Sequence, residues 1–237
     1  MNSAEEILKE LEAMGNPGTK KMLMDNHGVQ EPCFGVKIGD MKSIVKRIKV
    51  DHELALALYD TGNYDAMYLA GLIADDAKMT KRHLQKWANH AIGGSLAGAT
   101  VAWTASGSRY GWEMGLKWIE SKKIHVAMCG WNTLSCLMAL KEDKDLDIDR
   151  IQSLIKDVEE KIHQSPDLIR YSMNNFLISV GCGVASLTKE ILTVAKRIGP
   201  VTANLGNNQC QIPSIAEYIK KVEKRGYIGR KRKTVKC

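Results

Sequence analysis

Only two phenylalanines and five prolines occur in 237 residues. No apolar run approaches the roughly 20 residues of a membrane-spanning helix, so no helical span is expected. The six cysteines, at positions 33, 129, 136, 182, 210 and 237, form no CxxC pair and no zinc spacing. That pattern reads as reduced thiols in a cytoplasmic protein with no bound metal. Cys129 and Cys136 lie seven apart on one helical face, the placing of small core residues. Period-two alternation is missing, so no strand is expected. No glycine loop follows a strand: GSRYGWEMG sits inside an amphipathic helical pattern, and no nucleotide or other cofactor is expected. No serine occupies a nucleophile elbow. His83 and His90 lie seven apart, but no third metal ligand accompanies them, and the surface reading is preferred.

What is present is helical pattern. Ser3 reads as an N-cap with Glu5 and Glu6 in the first turn, and the acidic opening MNSAEEILKELEAMG reads as a helix, not a signal peptide. Pro17 opens a second helix that His27 and Gly28 close, and EPCFGVKIG reads as a loop. Asp40, Asp51, Asp65, Thr80, Ser95 and Ser108 are each read as opening a further helix. Residues 125–140, 149–163, 166–180, 187–198 and 214–225 complete the series. Helices of this length with short connectors predict an α-solenoid or irregular bundle, whose concave face would bind.

All five tryptophans (Trp87, Trp103, Trp112, Trp118 and Trp131) lie within residues 80–131. Most are expected to be core anchors, with one or two lining a groove against flat bases. Asn174 and Asn175 interrupt the apolar pattern RYSMNNFLISVG. They either hydrogen-bond locally or present polar edges to a groove. Charge is unevenly placed. Residues 220–237 hold nine basic residues and one acid, while residues 1–219 hold 25 basic and 26 acidic residues. The body is therefore nearly neutral. Residues 226–237 read as a basic, flexible tail, either solvated or touching phosphates, and residues 1–225 as one helical domain.

FGVKIGDMKSIVKRI, MYLAGLIADDAKMTKRHLQKWANHAI, GLKWIESKKIHVAMCGWNTLSCL and RYSMNNFLISVG, with Cys210 to Pro213 after them, together resemble the AlkD-like DNA alkylation repair proteins. The resemblance covers roughly residues 34–221. It implies an all-α superhelix of HEAT-like repeats whose concave basic surface holds duplex DNA. Active members of that family release positively charged alkylated purines. They carry a Trp-Asp-x-x-Asp type motif, whose last aspartate stabilises the developing sugar cation. The matching places here are Gly94, Ser95, Leu96, Ala97 and Gly98, and no carboxylate occurs between Asp76 and Glu113. The family's arginine falls at Ala127 or Met128, and its later groove tryptophan near Asn175.

No catalytic residue is therefore assigned, since an oxocarbenium-like centre needs nearby negative charge. The expected function is binding to double-stranded DNA without sequence preference, with weak or absent base excision. The alternative is a non-catalytic scaffold for protein partners. The expected DNA-binding residues are Lys37, Lys42, Lys46 and Arg47, then Trp103, Arg109 and Trp112, then Asn174, Asn175 and Lys189, and in the tail Arg230, Lys231, Arg232 and Lys233.

Overall fold

The structure is a computed structural model in which residues 3–206 and 211–236 are described. Cys210, part of the resemblance, and Cys237 lie outside those residues. Thirteen α-helices and no strand occur among the described residues. The first five are α1 (Ala4–Ala13), α2 (Pro17–His27), α3 (Ile38–Ile48), α4 (His52–Asp60) and α5 (Tyr64–Ile73). Four more follow: α6 (Lys81–His90), α7 (Val101–Gly107), α8 (Gly111–Ile119) and α9 (Ile124–Leu140). The last are α10 (Ile148–Lys161), α11 (Asp167–Gly183), α12 (Thr188–Ile198) and α13 (Ile215–Lys224). No single helix among the described residues is long and apolar enough to cross a membrane.

Side-chain caps set many boundaries. Ser3 and Glu6 form a reciprocal capping box, and Asn16, Asp51, Thr80, Asp147 and Ser214 each accept from a first-turn N–H. Neighbours in sequence pack as neighbours in space: α4 on α5, α8 on α9, and α11 on both α12 and α13. The 17-residue helices α9 and α11 also pack on each other and form the centre of the stack. Trp87, Trp103, Trp118 and Trp131 are buried, and Trp87 stacks on Tyr59 with ring centroids 4.1 Å apart. The rings serve the core first, as expected for large aromatics.

At Gly130 the α8–α9 contact is backbone on backbone. A Cβ on Gly130 would stand 2.6 Å from the Ile119 amide nitrogen and 2.9 Å from the Gly115 carbonyl oxygen. Backbone cannot step aside as a side chain can. Gly130→Ala should therefore destabilise the protein by about 2 kcal/mol through overpacking, read by thermal unfolding.

Four expected helix openings are corrected. Asp40 does not open α3; it stands in the first turn of a helix that begins at Ile38, with Lys37 at its cap. Asp65 does not open α5; Asn63 does, accepting from the Asp65 and Ala66 amides. Asp65 is fully buried, and its carboxylate accepts from Phe34 N at 2.6 Å, Gly35 N at 3.1 Å and Val36 N at 2.8 Å. It pins the loop before α3, where Gly35 takes a φ of +79° and a Cβ would stand 2.5 Å from Lys20 N. Ser95 does not cap a helix: it has helical backbone itself and leads into a π-turn, Leu96–Thr100, which continues as α7. Ser108 follows the end of α7; its hydroxyl donates to Ala105 O and accepts from Tyr110 N, but Tyr110 stands at the cap of α8.

The tail is also corrected. Residues 226–236 are not a free solvated segment but lie across the ends of α9 and α11. Gly229 N donates to Cys182 O at 2.8 Å, and Arg232 N to Ala139 O at 2.7 Å. Lys231 Nζ donates to Met138 O at 3.1 Å and Gly183 O at 2.6 Å, and pairs with Asp143 at 2.8 Å. The last carbonyls of a helix lack internal donors and carry the negative end of its dipole. One ammonium thus serves two helix ends, which is why a basic segment docks here. Further on, Lys236 Nζ donates to Ala74 O at 2.9 Å and pairs with Asp76 at 2.8 Å. Burial pushes the Asp76 carboxyl above its ordinary range, against the opposing pull of Lys236.

Candidate nucleic-acid groove

The docked tail forms one wall of a groove of about 970 Å³. Its floor comes from two helices. On α9, Asn132, Ser135, Cys136 and Ala139 fall at i, i+3, i+4 and i+7; on α11, Asn175, Ile178, Ser179 and Cys182 repeat that spacing. The spacing places each set on one helical face. Trp103 enters from α7, and Tyr218 and Val222 from α13. Arg225, Tyr227 and the run from Arg230 to Lys233 complete the wall. Among the described residues that line it, five carry a positive charge and none is a carboxylate.

The floor is polar without being charged. Asn132 Nδ2 donates to Met128 O at 2.8 Å. No internal hydrogen bond engages the Asn175 side chain among the described residues. Burial pushes the Cys136 thiol up to about 12 and the Cys182 thiol up to about 11, so both stay neutral at pH 7. Cys136, expected in the core, is half-buried on the groove floor. Trp103 lines the groove but is only 8% exposed, and its ring stands at 76° to that of Tyr68 with centroids 5.7 Å apart.

Of the expected DNA-binding residues, Trp103, Asn175, Arg230, Lys231, Arg232 and Lys233 meet here. Lys231 is already committed to the helix ends. Lys37, Lys42, Lys46 and Lys189 are exposed elsewhere, and Arg47 is paired with Glu10. Arg109 and Trp112 line a separate pocket of about 270 Å³, where Arg109 donates to Tyr110 Oη at 2.6 Å. Asn174 is buried against a different pocket and donates to Pro213 O at 3.0 Å, so the two neighbouring amides part company. Sequence reasoning missed Asn132, Tyr218, Arg225 and Tyr227. The signal for Asn132 was present: a polar stripe at helical spacing on the apolar helix α9. The two tyrosines carry no local signal.

The π-turn occupies the segment where an aspartate was sought. Gly98 faces Asn132, since a Cβ on it would lie 3.9 Å from Asn132 Nδ2. Ala127 and Met128, the places sought for an arginine, are buried and apolar. Glu113, the next carboxylate in sequence, is exposed on α8 and pairs with Lys81 at 2.6 Å. His83 lies beside His52, ring centroids 5.8 Å apart, and no group of three metal-ligating side chains occurs among the described residues.

The fold is an all-helical stack of HEAT-like repeats. It matches at TM-score 0.90 and 36% identity, over 100% of both chains, a solved structure reported as a new family of proteins related to the HEAT-like repeat DNA glycosylases with affinity for branched DNA structures. The profile of the DNA alkylation repair enzymes matches residues 7–197, and the chain belongs to that family. An uncharacterised protein of Listeria innocua and one of Listeria monocytogenes are each 30% identical to it over 231 residues, covering 95% of this chain and 99% of theirs.

Proposed function

We propose that this chain binds branched DNA in the groove between α9, α11, α13 and the docked tail, and that it does not excise bases. The observation that carries both halves is a groove wall with five cations and, among the described residues, no carboxylate. Cations on phosphates supply affinity that is independent of sequence. Hydrolysis of the glycosidic bond needs negative charge at the sugar as it becomes cationic. Glu113 is held elsewhere by Lys81. The affinity of the structural neighbour for branched DNA supports the choice of ligand. A scaffold for protein partners would favour an apolar or mixed-charge groove, which this one is not.

Arg225, Arg230, Arg232 and Lys233 are the cations with exposed side chains. With four phosphate contacts, the logarithm of affinity for a four-way junction should fall with the logarithm of salt with a slope of about −3.5. Replacing Arg232 and Lys233 together with alanine should weaken binding by about tenfold and make that slope shallower by about 2. Fluorescence anisotropy across a salt series measures both. Affinity flat across the series would reject DNA binding in the groove. On methylated duplex DNA, no release of 3- or 7-alkylpurines above the uncatalysed rate is expected. Robust release that Glu113→Gln abolishes would reject the non-catalytic half.

A further inference from the structure

We infer that Tyr218 and Tyr227 form a stacking site for unpaired bases, so that the groove selects branched DNA carrying a single-stranded segment. This rests on the groove being the DNA site. Among the described residues, nine large hydrophobic side chains are exposed, and the two aromatics in that set are Tyr218 at 47% and Tyr227 at 49%. Both stand on the groove. A protein that buries four of its five tryptophans has left these two rings in water at one place. The Arg230 guanidinium sits 4.9 Å from the centroid of the Tyr227 ring and orients it. No internal hydrogen bond engages either hydroxyl among the described residues.

The chemistry of such a site follows from what it offers. An exposed ring beside a guanidinium presents flat, polarisable surface next to positive charge. Bases in an intact duplex stack on one another and present no face to a ring. An unpaired base does, and its phosphate is then within reach of the same wall. On the same groove, Asn175 and Ser179 supply polar groups for the edge of a base without reading one base over another. Stacking of this kind tolerates any sequence and strengthens binding by about tenfold per base.

The test compares three labelled DNAs of equal length: a plain duplex, a fully paired four-way junction and a splayed fork with unpaired arms. The wild-type chain should bind the fork at least about tenfold tighter than the fully paired junction at matched salt. Replacing both tyrosines with leucine should erase that preference for the fork over the fully paired junction. Replacing both with phenylalanine should keep it, since phenylalanine retains the ring. Both side chains are half in water, and an unchanged melting temperature checks that the leucine variant folds. A leucine variant that keeps the fork preference, or a wild-type chain without one, overturns the inference while leaving salt-dependent junction binding intact. Absence of salt-dependent binding to all three DNAs overturns the groove assignment and this inference together.

Discussion

Asp65→Ala should destabilise the protein by about 4 kcal/mol, the largest loss expected from any single side chain here. The carboxylate is fully buried and accepts from three successive amides, Phe34, Gly35 and Val36. Alanine removes all three bonds at once. The amides remain in the interior, and each unpaired buried N–H costs about 1–3 kcal/mol. Partial entry of water keeps the total below the sum. The melting temperature should fall by about 10 °C for a chain of this size. Asp65→Asn should cost about half as much, because its carbonyl oxygen still accepts while its NH₂ confronts one of the amides. Urea unfolding of the two variants measures the difference. A loss under about 1 kcal/mol for the alanine variant would show that the loop does not depend on this carboxylate.

Lys231→Ala is expected to cost about 3 kcal/mol, for a different physical reason. Its side chain is 10% exposed, and its ammonium is shared between the last turns of α9 and α11 and the Asp143 carboxylate. Removing it leaves two helix-end carbonyls without a donor and strips compensation from two helix dipoles. Lys231→Met keeps the apolar stem and should recover less than half of the loss, which separates charge from packing. Thermal unfolding monitored by circular dichroism reads both variants. Equal stability of wild type and Lys231→Met would mean that packing of the stem, not charge, holds the tail.

How far the sequence disclosed this arrangement depends on the range of the interaction. The helices were legible because their signals are local: apolar residues recur every turn, and Ser3, Asp51, Thr80 and Ser214 stand next to the amides they cap. Asp65 was misread because it stands where a capping residue would, yet its partners are about 30 residues away. Ser95 was misread because a π-turn keeps helical backbone through the position where a cap would leave it. In the groove, Asn175 and the basic tail were legible as residues out of keeping with their surroundings. Tyr218 and Tyr227 were not, since what sets them apart is exposure, a property of the folded chain. The fate of Lys231 was equally hidden. A basic run reads as solvated until carbonyls 48 and 93 residues away are placed beside it.

The reach of Lys236 has a consequence for how the whole stack comes apart. Repeats in a solenoid ordinarily touch only their neighbours, so stability is a sum of local contributions and the terminal units fray independently. Here an ammonium near the end of the chain meets the backbone of Ala74, 162 positions earlier, and the side chain of Asp76 beside it. That contact closes a loop around α6 to α13. Lifting residues 226–236 off the stack therefore also frees the turn that follows α5. Unfolding of the later repeats should thereby be coupled to the earlier ones, and an assembly built in one dimension should melt in a single transition that calorimetry and circular dichroism report at the same temperature.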